Sequence, residues 1–259
     1  MTATTRIGVA GATGRMGREV IAAVADRDDC EVAFAVNREP DGETVDGETV
    51  DPAAEFGSLL AAHEPQAVID FTGPESAIEY VRACADADAK VAFVTGTTGF
   101  DDDQLDALEH AAAEIPVLHA PNFARGVQAL VNVVGDAVQS LPGYDVELVE
   151  THHNAKRDAP SGTANRLLDE VEANGEFGER AHGREGEAPR EAGEIGVHAL
   201  RAGDITGEHE ILLAGNHEEV RLTHRAEDRG VFAAGAVDAA AWIAGRKAGS
   251  YDFADVIDE

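Results

Sequence analysis

The chain has 259 residues, of which 44% are hydrophobic and 27% charged, and its formal net charge is −30. This composition is typical of a globular protein and excludes a largely disordered chain, while the length allows one large domain or, more naturally, two. Fifty acidic residues against 20 basic ones repel nucleic acid and anionic membranes, so we expect neither as a partner.

The acidity indicates adaptation to a salty cytoplasm. Molar salt shortens the screening length to about 3 Å and removes most of the self-repulsion of such a surface. The alternative is an acidic protein of an ordinary mesophile. No apolar run is long enough to cross a bilayer and the N-terminus has no signal-peptide pattern, so we expect a cytoplasmic protein. Cys30 and Cys84 are far apart and are expected to be buried small hydrophobes.

A strand, a glycine turn and a helix are predicted at the start of the chain. Residues 6–10 are apolar, Gly11-Ala-Thr-Gly14-Arg-Met-Gly17 follows, and one helical face then carries Met16, Val20, Ile21 and Val24. In this context glycines let the backbone approach a pyrophosphate at the positive end of the helix, which predicts dinucleotide binding. The spacing is G-x-x-G-x-x-G, since Thr13 stands where glycine is more usual. A glycine turn that serves only tight packing is the alternative.

The end of the second predicted strand, residues 30–36, bears on the choice of cofactor. An acid at this point binds the ribose 2′-hydroxyl of NAD, whereas an arginine accommodates the 2′-phosphate of NADP. Here the strand is followed by Asn37 and Arg38. The sequence therefore predicts that NADPH is accepted and preferred, with NADH possible, unless Arg38 is only a solvated loop residue.

Alternation of strands and helices continues to residue 124. Residues 39–55 are predicted as an acidic surface loop, residues 67–72, 91–95 and 116–120 as strands, and helices begin at Gly73-Pro74 and at residues 101–103. This pattern predicts a doubly wound, Rossmann-type parallel sheet whose ligands lie beyond the strand C-termini. The segments at that edge are Gly96-Thr97-Thr98 and Pro121-Asn122-Phe123.

The pattern changes in the C-terminal half. Helices are predicted at residues 126–140 and from Pro160–Thr163 onward, a strand at 144–151, an extended loop at 174–194, and three successive strands at 195–201, 205–213 and 219–226. We expect a dinucleotide-binding domain at 1–124, to which a C-terminal helix over 231–259 returns, and a second α+β domain with a mixed sheet at 125–230.

Residues 150–163 combine proton-donating side chains with an anion-binding helix start. His152, His153, Lys156 and Arg157 stand within six residues, and Ser161-Gly162-Thr163 then opens a helix. Histidine transfers protons near neutral pH, lysine donates a proton or holds a carboxylate, and the helix start offers N–H groups and hydroxyls to an anion. Because neighbours on a strand point to opposite faces, His152 and His153 share one cleft only if the strand ends there.

Each half of this stretch also has a structural interpretation. Ser161 could simply cap its helix, and the histidines could be a solvated loop end. The same strand geometry opposes chelation of one metal ion by the two histidines, and no metal site is expected.

The sequence resembles the 4-hydroxy-tetrahydrodipicolinate reductase (dihydrodipicolinate reductase) family over nearly its whole length. The motifs that carry the resemblance are Val9-Ala-Gly-Ala-Thr-Gly-Arg-Met-Gly17, Asp70-Phe-Thr, Gly96-Thr-Thr-Gly-Phe100, Pro121-Asn-Phe, Glu150-Thr-His-His, Lys156 with Asp158-Ala-Pro-Ser-Gly-Thr163, and Arg201-Ala-Gly-Asp-Ile-x-Gly-Glu-His209. The string His-His-x-x-Lys-x-Asp-Ala-Pro-Ser-Gly-Thr is highly specific.

The resemblance implies NAD(P)H-dependent reduction of a cyclic imine dicarboxylate in the diaminopimelate route to lysine, by a homotetramer built on the C-terminal sheet. It implies that His152 is the proton donor, that Lys156 is a second donor or a carboxylate partner, and that His153, Gly162 and Thr163 bind substrate. The implied cofactor contacts are Gly11, Ala12, Thr13, Gly14, Arg15, Met16, Asn37, Arg38, Gly96, Thr97, Thr98, Pro121, Asn122, Phe123 and Ala124.

Two residues depart from the pattern of the family. Asn37 replaces an acid of members that use NADH readily, and Thr13 replaces a glycine, which would tighten the pyrophosphate turn.

One alternative function is a different NADP-dependent reductase of aspartate-derived substrates. The other is a non-catalytic NADPH-sensing module, which would need no proton donors.

Overall fold

The computed structural model describes residues 4–40 and 42–257. Its strands are β1 Thr5–Ala10, β2 Cys30–Asn37, β3 Thr44–Val45, β4 Glu48–Pro52, β5 Ala67–Asp70, β6 Ala92–Thr95, β7 Pro116–His119, β8 Asp145–His152, β9 Arg180–His182, β10 Ile195–Arg201, β11 Gly207–Gly215, β12 Glu218–Ala226 and β13 Gly249–Tyr251. Its α-helices are α1 Arg15–Ala25, α2 Phe56–His63, α3 Pro74–Asp86, α4 Asp102–Ala112, α5 Arg125–Ser140, α6 Gly162–Asn174, α7 Gly230–Ile243 and α8 Phe253–Ile257. Among these residues no helix is long and apolar enough to cross a membrane.

The chain divides into two compact units. Unit 1 contains the residues up to Ala124 and those from Arg229 onward, and unit 2 is Arg125–Asp228. The second boundary predicted from the sequence lies two residues later. Arg229 is the N-cap of α7, and α7 packs on α1 and into the core of unit 1, so this residue goes with the helix it precedes.

Unit 1 is built on a sheet with strand order β13-β7-β6-β5-β1-β2-β4-β3. All neighbours pair in parallel except β3, which is antiparallel to β4. Helices α1 and α7 cover one apolar face, and α2, α3 and α4 cover the other. The doubly wound parallel sheet predicted from the sequence is confirmed, and Cys30 and Cys84 are buried and free.

The surface loop predicted over 39–55 is not observed, because residues 42–55 contain two strands. Asp41 lies outside the described residues. Strands β3 and β4 form a hairpin across a two-residue turn, Asp46-Gly47, and β4 extends the sheet beside β2. Both turn residues have positive φ, +49° and +90°, which is the geometry that Asp-Gly favours in tight hairpins. The near-repeat of Asp-Gly-Glu-Thr-Val thus encodes two paired strands.

The prediction of a single helix over 231–259 was wrong. Helix α7 stops at Ile243, because Ala244 leaves helical geometry and Gly245 has φ +78°. The chain then adds β13 beside β7 and the short helix α8. Such short elements depend on contacts distant in sequence, as does α2, which the sequence analysis did not identify. Residues 258–259 lie outside the described residues.

Unit 2 has the strand order β12-β11-β8-β10-β9. Strands β12, β11 and β8 are antiparallel, whereas β8, β10 and β9 are parallel, so the predicted mixed sheet is confirmed. Helices α5 and α6 bury one face of this sheet in a single core. The predicted loop at 174–194 contains β9, which pairs with β10 over three residues only.

Candidate active site

The turn between β1 and α1 has a glycine at each end and leads directly into the helix. Gly11 has φ +83°, and the N–H groups of Gly11 and Ala12 both donate to the Val36 carbonyl oxygen at 3.0 Å. Gly14 is the N-cap of α1. A Cβ on Gly17 would lie 2.1 Å from the Gly11 carbonyl oxygen, so the third glycine serves the packing of helix against turn. A turn that begins and ends with glycine at a helix N-terminus fits a pyrophosphate.

A pocket of about 300 Å³ opens beside this turn. It is lined by Gly11, Gly14, Asn37, Arg38, Phe71, Thr72, Gly73, Glu75, Ser76 and Tyr80. The exposed Arg38 reaches the Ser76 hydroxyl with Nη2 at 3.4 Å. The pocket therefore joins the glycine turn to the end of β2, as a nucleotide with a 2′-phosphate requires, although the Glu75 carboxylate at its rim opposes an anion.

The other predicted cofactor residues occupy different environments. Gly96 is pressed against Phe71, because a Cβ there would lie 2.0 Å from the Phe71 ring. The ring of Phe123 packs edge-on against Phe71 at 5.9 Å between centroids, and Asn122 Oδ1 accepts the Ala124 N–H at 2.8 Å. Thr98, Pro121 and Arg15 are exposed, Met16 packs partly on the core, and the Thr13 carbonyl accepts from Arg18 Nε.

Asp70 connects the ends of β5 and β6, and no role for it was predicted from the sequence. Its buried carboxylate accepts hydroxyl hydrogen bonds from Thr72, Thr95 and Thr97 at 2.6–2.8 Å. Burial raises the pKa of Asp70, and these hydroxyls oppose the rise. An acid at the end of an otherwise apolar strand, followed by threonine, was the available signal. Asp70 thereby fixes the segments next to Gly96.

In unit 2, strand β8 ends at His152, as the sequence analysis required if the two histidines were to share a site. The His152 carbonyl accepts the Ala202 N–H at 2.9 Å. His153 lies outside the strand, and its carbonyl accepts the Lys156 N–H at 3.1 Å in a turn. His152 is buried on the strand face that also carries Glu150, whereas His153 is half-buried.

Glu150 is the centre of the polar cluster around His152. Its carboxylate has no exposure and receives two hydrogen bonds from Arg201, each 2.8 Å long. Oε2 contacts His152 Nδ1 at 2.5 Å, and Oε1 accepts the Ser161 N–H at 3.2 Å. Burial would raise the pKa of Glu150, but Arg201 and His152 outweigh it and hold this pKa below its usual value.

Burial and the neighbouring carboxylate act in opposite directions on the pKa of His152. Burial lowers its pKa and outweighs the hydrogen bond and negative charge of Glu150, which raise it. The ring of His209 packs edge-on at 5.1 Å between centroids, and burial lowers the pKa of His209 to about 3. His209 is therefore neutral at physiological pH, and its Nε2 is 2.9 Å from Ser161 Oγ.

The helix start after this cluster is capped by Ser161. Its Oγ accepts the Ala164 N–H at 3.1 Å, so the capping role considered for Ser161 is confirmed. Gly162 is exposed with open space above it, and Thr163 is half-buried in the first turn of α6. This open turn can receive an anion.

Lys156 is held in the same loop by Asp158. Nζ lies 2.9 Å from Asp158 Oδ1, and the Asp158 carbonyl accepts from Arg201 Nη2 at 2.6 Å. The structure thus gathers His152, Lys156 and the start of α6 around Glu150. Within residues 4–40 and 42–257, no three His, Cys, Asp or Glu side chains stand close enough together to hold a metal ion.

No role for Glu150, Arg201 or His209 was predicted from the sequence. Because side chains alternate between the two faces of a strand, Glu150 could have been placed on the same face of β8 as His152, two residues later. Arg201 pairs with His152, and His209 with Glu150, through the registers of β10 and β11 on β8. Those registers are tertiary information, and only the quoted family motif around Arg201–His209 hinted at them.

Comparison with known proteins gives concordant results. Family models described as "Dihydrodipicolinate reductase, N-terminus" and "Dihydrodipicolinate reductase, C-terminus" match residues 5–123 and 126–257. A 4-hydroxy-tetrahydrodipicolinate reductase of Natronomonas pharaonis is 54% identical over 96% of this chain and 98% of its own. That of Haloarcula marismortui is 50% identical over 98% and 99%. Both relatives come from halophilic archaea, in agreement with the predicted salt adaptation.

A solved structure is similar over almost the whole fold. The dipicolinate-bound dihydrodipicolinate reductase from Paenisporosarcina sp. TG-14 superposes with a TM-score of 0.79 at 25% identity. The alignment covers 97% of this chain and 99% of that one.

The Asp70 cluster leads to a stability prediction. Asp70→Asn replaces an acceptor of three hydroxyls by an amide with only one acceptor oxygen, so we expect the free energy of unfolding to fall by about 2 kcal/mol. Denaturant titration in molar salt measures this change. The exposed Asp88→Asn is the matched control and should change stability by less than about 0.5 kcal/mol. Equal stability of the two variants would contradict the role of Asp70.

Proposed function

The chain belongs to the dihydrodipicolinate reductase family, and on that premise we propose which residues bind cofactor, bind substrate and deliver protons. It is an NAD(P)H-dependent oxidoreductase that reduces 4-hydroxy-tetrahydrodipicolinate to tetrahydrodipicolinate in the diaminopimelate route of lysine biosynthesis. The reaction consumes one NAD(P)H and one proton, and releases NAD(P)⁺ and one water. No observation favours the alternative reductase or the sensing module.

The cofactor site that we propose is the turn and pocket of unit 1. Gly11–Met16 would hold the pyrophosphate at the start of α1, and the segments Gly96–Thr98 and Pro121–Ala124 would hold the nicotinamide. The bound NAD(P)H supplies the hydride. We propose that NADPH is preferred, because Arg38 borders the pocket and Asn37 stands where an acid would bind the ribose of NADH.

The substrate carboxylates are assigned to unit 2. The exposed Gly162 and the half-buried Thr163 offer the start of α6, with the positive end of its dipole, to one carboxylate. Lys156 and His153 would contact the other. The Lys156–Asp158 pair is partly exposed, and such pairs contribute about 1 kcal/mol or less, so a substrate carboxylate can replace Asp158.

We propose that His152 is the proton donor. The observation that carries this role is its burial at the end of β8, against Glu150 and close in the chain to Lys156 and the start of α6. Near neutral pH a histidine exchanges protons readily, and a fixed ring orientation makes the transfer efficient.

We also propose that the protein is a homotetramer assembled through the open face of the unit 2 sheet. Helices α5 and α6 cover only the opposite face. The open face carries Val149, Leu212 and Leu200, and Leu200 is 50% exposed. These apolar side chains alternate with polar ones such as His198 and Glu210, a mixture that is typical of subunit contacts. The cytoplasmic location stays a prediction from the sequence.

The catalytic assignment is tested by His152→Gln and Lys156→Ala. Loss of the proton donor should lower kcat by about 10²- to 10⁴-fold, and loss of Lys156 should raise KM for the substrate about tenfold or more. The measurement is NADPH oxidation with freshly prepared substrate in molar salt. His182→Gln, at an exposed position of β9, is the control and should retain activity. Undiminished activity of either site variant would overturn its role.

The cofactor assignment is tested by Arg38→Ala. Without the guanidinium, KM for NADPH should rise about tenfold or more, because an arginine–phosphate contact contributes more than about 1.4 kcal/mol, while KM for NADH should hardly change. Arg82→Ala, on the exposed face of α3, serves as the control. A wild type that uses NADH far better than NADPH would contradict the proposal.

Assembly is tested by Leu200→Glu. Burying a carboxylate in the proposed interface should dissociate the tetramer into smaller species, as measured by sedimentation velocity in molar salt. Leu105→Glu on α4, where the native leucine is 39% exposed, should leave the mass unchanged. A monomeric wild type would refute the assembly.

A further inference from the structure

The Glu150 carboxylate takes part in four hydrogen bonds with donors from three segments. Arg201 of β10 donates twice, the Ser161 N–H donates from the start of α6, and His152 Nδ1 completes the set from β8 itself. Hydrogen-bond donors and a cation together offset the cost of burying this carboxylate. Because arginine stays charged at every accessible pH, Glu150 stays ionised while Arg201 is present.

An ionised Glu150 determines which His152 nitrogen carries a permanent proton. A carboxylate can only accept, so Nδ1 must donate to Oε2 in both the neutral and the cationic ring. Nε2 is then the atom that gains and loses a proton. Gly207 lies beside it, and a Cβ at that position would stand 3.1 Å from Nε2. The absence of a side chain at Gly207 leaves room next to the reactive nitrogen.

We propose that Glu150 and Arg201 are positioning residues that hold His152 with Nδ1 protonated, so that Nε2 alone delivers the catalytic proton. Glu150 acts on the ring directly, whereas Arg201 acts through Glu150 by neutralising part of its charge. This inference rests on the proposed role of His152 as proton donor.

The charges around His152 come from several elements. Glu150 on β8 favours the protonated ring, whereas Arg201 on β10 and Lys156 of the following loop disfavour it. Asp158 of the same loop pairs with Lys156. His209 on β11 and His224 on β12 both have pKa values lowered by burial, which keeps them neutral near pH 7. Glu150 and Arg201 therefore form a pair of opposite charge in direct contact beside His152, and they act on His152 in opposite directions.

The experiment compares the pH dependence of kcat in Glu150→Gln and Arg201→Gln. A histidine acid is active when protonated, so activity is lost as pH rises through the pKa of His152. Glu150→Gln removes the charge that raises this pKa, and the loss of activity should move to lower pH by about 1 unit or more. Arg201→Gln leaves His152 as the only cationic partner of Glu150, and the loss of activity should move to higher pH. A purely structural role would not produce opposite shifts.

Glu147 offers a matched control on the same strand. It faces away from the site, pairs with Arg184 and Arg190, and its Oε2 lies 2.8 Å from His198 Nε2. Glu147→Gln thus removes a carboxylate from an equivalent glutamate–arginine–histidine group. We expect it to leave the pH at which activity is lost unchanged.

The outcomes separate this inference from the proposed function. If His152→Gln retains wild-type kcat, the donor role itself fails. If His152→Gln is impaired but Glu150→Gln and Arg201→Gln lose activity at the wild-type pH, or shift in the same direction, only the positioning role is overturned. Should Glu150→Gln fail to fold, an upward shift in Arg201→Gln supports the inference, and an unchanged or lower pH refutes it.

Discussion

The carboxylate of Glu150 has no contact with solvent, and the site in unit 2 is assembled around it. Three secondary-structure elements supply its donors: β8 through His152, β10 through Arg201, and the start of α6 through Ser161. Removing any one donor leaves a buried charge less compensated, so the three elements are energetically coupled. The interaction therefore joins His152, the proposed proton donor, to the helix turn proposed to hold a substrate carboxylate.

Unit 1 uses a related device with a different balance of charge. Asp70 also ends a buried strand and gathers the next segments, but its partners are hydroxyls of Thr72, Thr95 and Thr97 rather than cations. Neutral donors compensate a carboxylate less completely than arginine does, which agrees with the raised pKa of Asp70 and the lowered pKa of Glu150. Asp70 is thus suited to fixing loops, and Glu150 to fixing the state of a histidine.

The charge of −30 belongs mainly to the surface and has a different role. Exposed ion pairs such as Arg6–Glu31 and Lys90–Glu114 contribute little in water and are screened at molar salt. The buried Glu150–Arg201 pair is screened far less, because salt ions do not reach it. Anionic substrate and cofactor can therefore bind where local cations and helix starts persist, while the surface carries the salt adaptation.

Much of the fold followed from local pattern. The glycine turn, the βα alternation of unit 1 and the mixed sheet of unit 2 were predictable, because hydrophobic period and turn residues act over a few positions. The hairpin around Asp46-Gly47 was encoded just as locally, in a dipeptide with a strong turn preference, and was missed. Strand β13 and helix α2 were harder, because their few residues form an element only against distant partners.

The candidate site of unit 2 likewise combines features that the local sequence predicted with features that it did not. The sequence by itself determined that His152, Lys156 and the helix start at Ser161 lie together, since they are neighbours in the chain, and that the strand must end near His152. It could not determine that Arg201, 51 residues away, would neutralise Glu150, or that His209 would lie against His152. Those contacts depend on the registers of β10 and β11 against β8, and only the folded sheet decides register, because burial of one whole strand face selects it.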